Sequence, residues 1–276
     1  MSLQNKVAVI TGAGGVLCSE FARHLAKDNI TVILLDINLE SAEAVAAQIR
    51  ANGGSAYAYA CNVLEKESIE AVHAEVLSKF GKCDILINGA GGNSPRATLM
   101  HEYYEEGDES RDDIKTFFNL DKKDFGFVFD LNLVGTLLPT QVFSPDMINR
   151  DGVIINISSM NAFKPLTKIP AYSAAKSGIS NLTEWLAVHF ASAGIRVNAI
   201  APGFFVTKQN EKMLFDENGE PTPRTEKILR ATPMGRFGKA SELLGTLSYL
   251  IDNEKSGFVT GIVIPVDGGF SAYSGV

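Results

Sequence analysis

The sequence predicts an α/β fold: a doubly wound parallel sheet with helices on both faces. Short β-rich runs alternate with longer segments of helical period, and the runs are apolar almost throughout, as strands buried on both faces must be. The first run, "KVAVIT" (6–11), leads into "SEFARHLAKDN", whose apolar residues recur at three and four and whose end carries Asn. "TVILLD" (31–36) is followed by "LESAEAVAAQIRANGG", again helical in period and closed by glycines. "SAYAYA" (55–60), "CDILIN" (83–88), "GVIINIS" (152–158), "IRVNAIA" (195–201) and "GIVIPVD" (261–267) complete seven candidate strands. Right-handed crossovers between them put any ligand beyond the carboxyl ends of the strands.

At 276 residues with 45% apolar side chains, the chain suits one large unit spanning 1–276, with polar insertions at 92–125 and 208–233. A net charge of −7 leaves no basic excess for nucleic acid. Cys18, Cys61 and Cys83 lie beside apolar runs with no CxxC pair, which predicts buried packing rather than disulfides or zinc. No apolar run approaches the ~18 residues of a membrane helix, and the N-terminus has no signal-peptide profile. The expectation is a cytoplasmic protein with a small-molecule substrate and no membrane or nucleic-acid partner.

Every strand end is small or polar. After the first comes "TGAGGVLCSEFARHLA", where Gly12, Gly14 and Gly15 would let backbone approach a pyrophosphate at a helix N-terminus. The spacing TGxxxGxG would require glycine at 16 and 18, where this chain has Val16 and Cys18. Asp36 closes the second strand, placed to bond the adenosine ribose hydroxyls and to repel a 2′-phosphate, which favours NAD over NADP. Asn38 could cap the next helix. Asn62 and Val63 follow the third strand, and "NGAGG" (88–92) follows the fourth. In "PAYSAAKSG" (170–178), Tyr172 and Lys176 stand one helical turn apart on one face, and the ammonium would lower the phenol's pKa.

Together, "TGAGG", Asp36, "NGAG", "NLVG", Ser159, "YSAAK", "PGFFVT" and "PVDGGFS", in this order, resemble the short-chain dehydrogenase/reductase family over nearly the whole chain. The resemblance implies a Rossmann-type, three-layer α/β/α sandwich around a seven-stranded parallel sheet, a bound NAD, and a homo-oligomer, dimer or tetramer. It implies a catalytic group of Asn132, Ser159, Tyr172 and Lys176, with Asn132 holding a water linked to the lysine. Around the cofactor it implies Gly12, Gly15, Val16, Leu17, Asp36, Asn62, Val63, Asn88, Gly89, Ala90, Gly91, Tyr172, Lys176, Pro202, Gly203, Phe205 and Thr207. Ser159 is chosen over Ser158 by its distance of 13 residues from the tyrosine.

The acidic insertion, "FNLDKKDF", "SSMNAFKPLTKIPAYSAAK" and the terminal "GGFSAYSGV" are similar to a branch of that family acting on keto sugar acids, the D-mannonate oxidoreductases or fructuronate reductases. An acidic sugar needs cationic or amide partners, and Arg96, Asn161, Lys164, Lys168 and Arg224 are the candidates beside Ser159. His101, Glu102, Glu105 and Glu106 are expected in a solvated acidic loop without metal, and 208–233 in a helical lid over the substrate. A gluconate 5-dehydrogenase, a 3-ketoacyl reductase and a catalytically silent NAD-binding regulator are the other readings of the same residues.

Overall fold

The structure, a computed structural model, describes residues 5–206 and 214–275. Strands β1 (Val7–Thr11), β2 (Thr31–Asp36), β3 (Ala56–Ala60), β4 (Ile85–Asn88), β5 (Val153–Ile157), β6 (Arg196–Pro202) and β7 (Val263–Val266) form one sheet of order β3-β2-β1-β4-β5-β6-β7. All six pairings are parallel. Alternation along the strands splits their side chains between two cores. Ala8, Ile10, Leu34 and Ile155 pack with α1 (Val16–Lys27), α2 (Leu39–Ala51) and the helix Leu244–Ile251. Val9, Ile33, Leu86 and Ile154 pack with α3 (Lys66–Phe80), α5 (Gly135–Met147) and α6 (Pro170–Phe190). The three cysteines are buried thiols.

Helix α4 (Lys122–Phe129) runs through a five-residue π turn, Asp130–Val134, into α5. This continuous stretch, 122–147, is long and apolar enough to cross a membrane by length and composition, contrary to the linear reading. Asp130, Pro139 and Pro145 interrupt the apolar letters and hide it in sequence. Val142, Phe143 and Met147 place it against the sheet as a core helix.

The two polar insertions are ordered in different ways. The first is solvated along most of its acidic run, Glu105, Glu106 and Glu109 being exposed, but it is organised around Asp108, a buried hub. Its carboxylate meets His101 Nδ1 at 3.0 Å and accepts from Glu105 N at 3.1 Å, while its carbonyl accepts from Thr116 Oγ1 at 3.1 Å. In the second, residues 207–213 lie outside the described ones. An antiparallel bridge, Phe215 to Pro221, precedes the helix Pro223–Ala231.

At the far edge Arg196, on β6, is nearly buried and ties the C-terminal segment to the sheet. Its guanidinium donates to Asn253 Oδ1 at 2.8 Å, Leu250 O at 2.8 Å and Val259 O at 3.1 Å. Arg196→Met keeps the stem but strands those acceptors, so it should cost about 2–3 kcal/mol. The expected drop in the thermal midpoint is roughly 5–10 °C, and an unchanged midpoint would refute the role.

Candidate active site

Strand order reverses between β1 and β4, so the cleft opens where "TGAGG" and "NGAGG" meet. Gly12 has φ +65°, and a Cβ there would stand 2.8 Å from Ala90 Cα, so only glycine lets the two turns touch. Thr11 Oγ1 accepts from Gly89 N and Ala90 N, both at 3.1 Å, stitching the ends of the strands together. Asp36 braces the glycine turn, its two oxygens accepting from Gly14 N and Asn38 N at 2.9 Å each. Asn38 caps α2 by accepting from Ser41 N. Helix α1 starts at Val16 behind an N-cap, Gly15, that offers no side-chain bond, leaving N–H groups at its N-terminus, at Val16 and Leu17, for a ligand.

The departures from glycine at 16 and 18 have a structural account at the second position. A Cβ on Gly89 would come within 2.1 Å of Cys18 Sγ, so the thiol fills space that Gly89 leaves. Burial pushes the Cys18 thiol up to about 12, which keeps it protonated and unreactive. Nothing in the structure explains Val16.

Four side chains converge at the end of β5. Lys176 is buried and its Nζ donates to Ile157 O at 2.7 Å. Ser158 faces α6, its Oγ donating to Lys176 O at 3.2 Å and pairing with Ser180 Oγ at 2.8 Å. Ser159 accepts from Asn161 N at 3.2 Å and neighbours the Tyr172 hydroxyl. Lys176 Nζ is 5.5 Å from the Tyr172 ring centroid, and the ring packs against Ala97, Val128 and Ala171, with the insertion's Leu120 and Phe125 in the same cluster. Asn132 sits in the π turn, a feature often found at functional sites. Its Nδ2 donates to Gly92 O at 2.8 Å and Val128 O at 2.7 Å, and its Oδ1 accepts from Gly92 N at 3.1 Å. One amide hydrogen therefore braces the loop after β4, and the other is held by the Val128 carbonyl one turn back in α4. Gly91 lets the loop after β4 pass close to the π turn and α6, since a Cβ there would lie 2.6 Å from Asn132 Oδ1 and 3.4 Å from Lys176 Nζ.

The electrostatics correct one expectation. The Tyr172 phenol is raised rather than acidified: burial pushes it up, and the Ser159 hydroxyl only partly offsets this. The same burial pushes Lys176 down to about 8, partly countered by Cys18. Desolvation is the largest cause for both groups.

Other candidates divide. Asn62 Oδ1 accepts from Leu64 N at 3.1 Å and Val63 is buried against Gly135, so their side chains shape the turn after β3. The Asn88 side chain points into the core, donating to Thr140 Oγ1 and Asn156 Oδ1 at 2.9 Å each, so only its backbone can border the cleft. Phe205 is likewise a core residue, packed where Gly238 leaves room. Pro202 ends β6 buried, and Gly203 fits because a Cβ there would stand 2.5 Å from Asp267 Cα. Thr207 lies outside the described residues. Arg96 is exposed and paired with Asp124 at 3.3 Å, Lys164 is exposed, and Lys168 adopts a left-handed φ of +71°. Asn161 is buried beside Ser159, and its Oδ1 has no hydrogen-bond partner among the described residues. His101 is spent on Asp108 and Glu105, and no three described residues are grouped to hold a metal. Thr11 and Glu102, which hold the cleft and the insertion, carry no sequence signal beyond lying after a strand or in an acidic run.

A glycine cradle, an uncapped helix N-terminus and a carboxylate ending β2, with no cation paired to Asp36 among the described residues, fit a dinucleotide without a 2′-phosphate. A short chain dehydrogenase family model matches residues 6–218. An uncharacterized oxidoreductase of Haemophilus influenzae is 58% identical over all of this chain and 96% of its own length. Another from Bacillus subtilis, UxuB, is 52% identical over all of this chain and 98% of its own. A crystal structure of a Haemophilus protein, provisionally named a D-mannonate oxidoreductase and bound to NAD, superposes with TM-score 0.95 at 58% identity, covering 100% of this chain and 98% of that one.

Gly89→Ala should destabilise the protein by about 1–3 kcal/mol through its clash with Cys18, and adding Cys18→Gly should recover part of that loss. Strict additivity in urea unfolding of the double-mutant cycle would show that the two positions do not share the space.

Proposed function

The chain belongs to the short-chain dehydrogenase family, and from that premise we propose that it is an NAD(H)-dependent oxidoreductase interconverting D-fructuronate and D-mannonate. The observation that carries the chemistry is the convergence of Ser159, Tyr172 and Lys176 at the end of β5, beside the Asn132-braced glycine loop. Identity of 58% to a protein provisionally named for D-mannonate supports the substrate.

In this reading Gly12, Gly15, Val16 and Leu17 hold the pyrophosphate, Asp36 the adenosine ribose, and Gly89 to Gly91 with Pro202 and Gly203 border the nicotinamide half. When bound, the nicotinamide supplies the hydride for the carbonyl carbon. Ser159 donates a hydrogen bond to the carbonyl oxygen and orients it toward Tyr172, which delivers the proton. A phenol raised by burial is well suited to that direction, because it remains protonated at neutral pH. Lys176, fixed by Ile157 O, stabilises the phenolate left behind. Asn132 is a positioning residue for Gly92. The insertion contributes Ala97, Leu120 and Phe125 to the apolar cluster against which Tyr172 packs. Self-association belongs to the same reading: Trp185 and Val188 leave an apolar face of α6 58% and 80% exposed.

Across a panel of keto sugar acids, NADH consumption should be fastest with D-fructuronate, slower with NADPH, and reduced by about a hundredfold or more in Tyr172→Phe with NADH affinity retained. Fructuronate turning over no faster than simple ketones would overturn the substrate assignment. Lys176 is charged below about pH 8 and neutral above it. The kcat/KM for reduction should therefore fall as pH rises through that value, and Lys176→Arg, charged throughout, should move the fall upward. A pH profile identical in the two proteins would exclude Lys176 as its source.

A further inference from the structure

Where the acidic insertion meets the helix Pro223–Ala231, one carboxylate of the insertion faces two cations of the helix. Glu102 pairs with Lys227 at 3.0 Å and with Arg224 at 3.8 Å, and it is the only carboxylate paired with either among the described residues. Lys168 acts on the same carboxyl through space; with the Lys227 hydrogen bond as the largest cause, these cations hold Glu102 below the usual carboxylate range. Three cations thus surround one anion. Arg224 is also the second residue of a nine-residue helix, where the backbone dipole adds to the positive potential. Lys168 ties this cluster to the cleft. Lys168 is four residues from Tyr172, its carbonyl accepts from Leu99 N at 2.8 Å, and Ala97, two residues earlier, packs on the Tyr172 ring.

A second observation concerns the other side of Ser159. Asn161 is 4% exposed, and its Oδ1 has no donor among the described residues. A buried acceptor without a donor is costly, so it suits a ligand rich in hydroxyl groups. Two cations facing one carboxylate and an unmatched acceptor beside Ser159 describe a molecule that is a polyol along its length and an anion at one end.

We propose that Arg224 and Lys227 anchor the carboxylate of the hydroxy-acid substrate, with Glu102 as the resident counter-ion that the substrate carboxylate displaces from Arg224. This rests on the sugar-acid reading above and extends it to named residues. Arg224 and Lys227 are binding residues, remote from the proton transfer, and Glu102 competes with the ligand for them. An arginine fork suits a carboxylate better than a lysine does, so Arg224 carries more of the affinity.

The test is binding of D-mannonate and of D-mannitol, which carries CH2OH in place of the carboxylate, to the full chain loaded with NADH. Arg224→Gln should weaken mannonate about tenfold or more and leave mannitol within twofold, with a smaller loss in Lys227→Gln. Glu102→Gln removes the competitor and should tighten mannonate several-fold, which keeps the test decisive if Arg224→Gln fails to fold. Mannonate affinity in the variants within twofold of the parent, or equal losses for both ligands, would overturn the anchor alone. A parent protein that binds no mannonate yet reduces neutral ketones would overturn both the anchor and the substrate class.

Discussion

A buried ammonium organises this site. Lys176 is 4% exposed, and its fall from an ordinary 10.5 to about 8 corresponds to about 3 kcal/mol against the charged form. The end of β5 offers that ammonium the Ile157 carbonyl, which accepts from it at 2.7 Å. A strand end and a helix side chain are thereby locked together, and Ser159 and Tyr172 inherit their positions from the lock. The surroundings of Nζ are tightly built: Gly91 has no room for a side chain, and Asn132 divides its amide between the loop that passes there and Val128 O in α4.

Behind the lock runs a chain of buried polar contacts. Thr136 Oγ1 donates to Asn132 O and Thr140 Oγ1 to Thr136 O, each at 2.8 Å. Asn88 joins Thr140 to Asn156, and Asn156 Nδ2 donates to Thr183 Oγ1 at 2.9 Å on α6. The π turn, two strand ends and the helix bearing Tyr172 and Lys176 are therefore one connected unit. Such networks add little net stability per bond but penalise any rearrangement that leaves a member unpaired. Hydride transfer needs atoms held to fractions of an ångström, and this is the part of the molecule that supplies that rigidity.

The acidic insertion plays a different part. Some of its charges pair among themselves, as His101 does with the buried Asp108 and Arg111 with Asp113, so part of this loop is a folded element. It contributes apolar cover for Tyr172 on one side and a single carboxylate toward the helix Pro223–Ala231 on the other. The ends of the central strands thus hold the Ser159, Tyr172 and Lys176 cluster, and an inserted segment packs beside it.

Alternating apolar runs and helical periods determined the parallel sheet, since burial on both faces leaves no other pattern for its strands. The spacing of Tyr172 and Lys176 determined that they share a helical face, because one turn separates them. Small residues at every strand end determined where a ligand could approach. Those are local properties, set by neighbours in the chain. The rest depends on segments far apart in sequence. That Asn88 and Phe205 turn inward, that Cys18 fills the space Gly89 leaves, and that Asp36 braces a turn 22 residues away followed only from how strand ends meet. The direction of the Tyr172 shift belongs here too, because desolvation is a property of the packed site and no spacing encodes it.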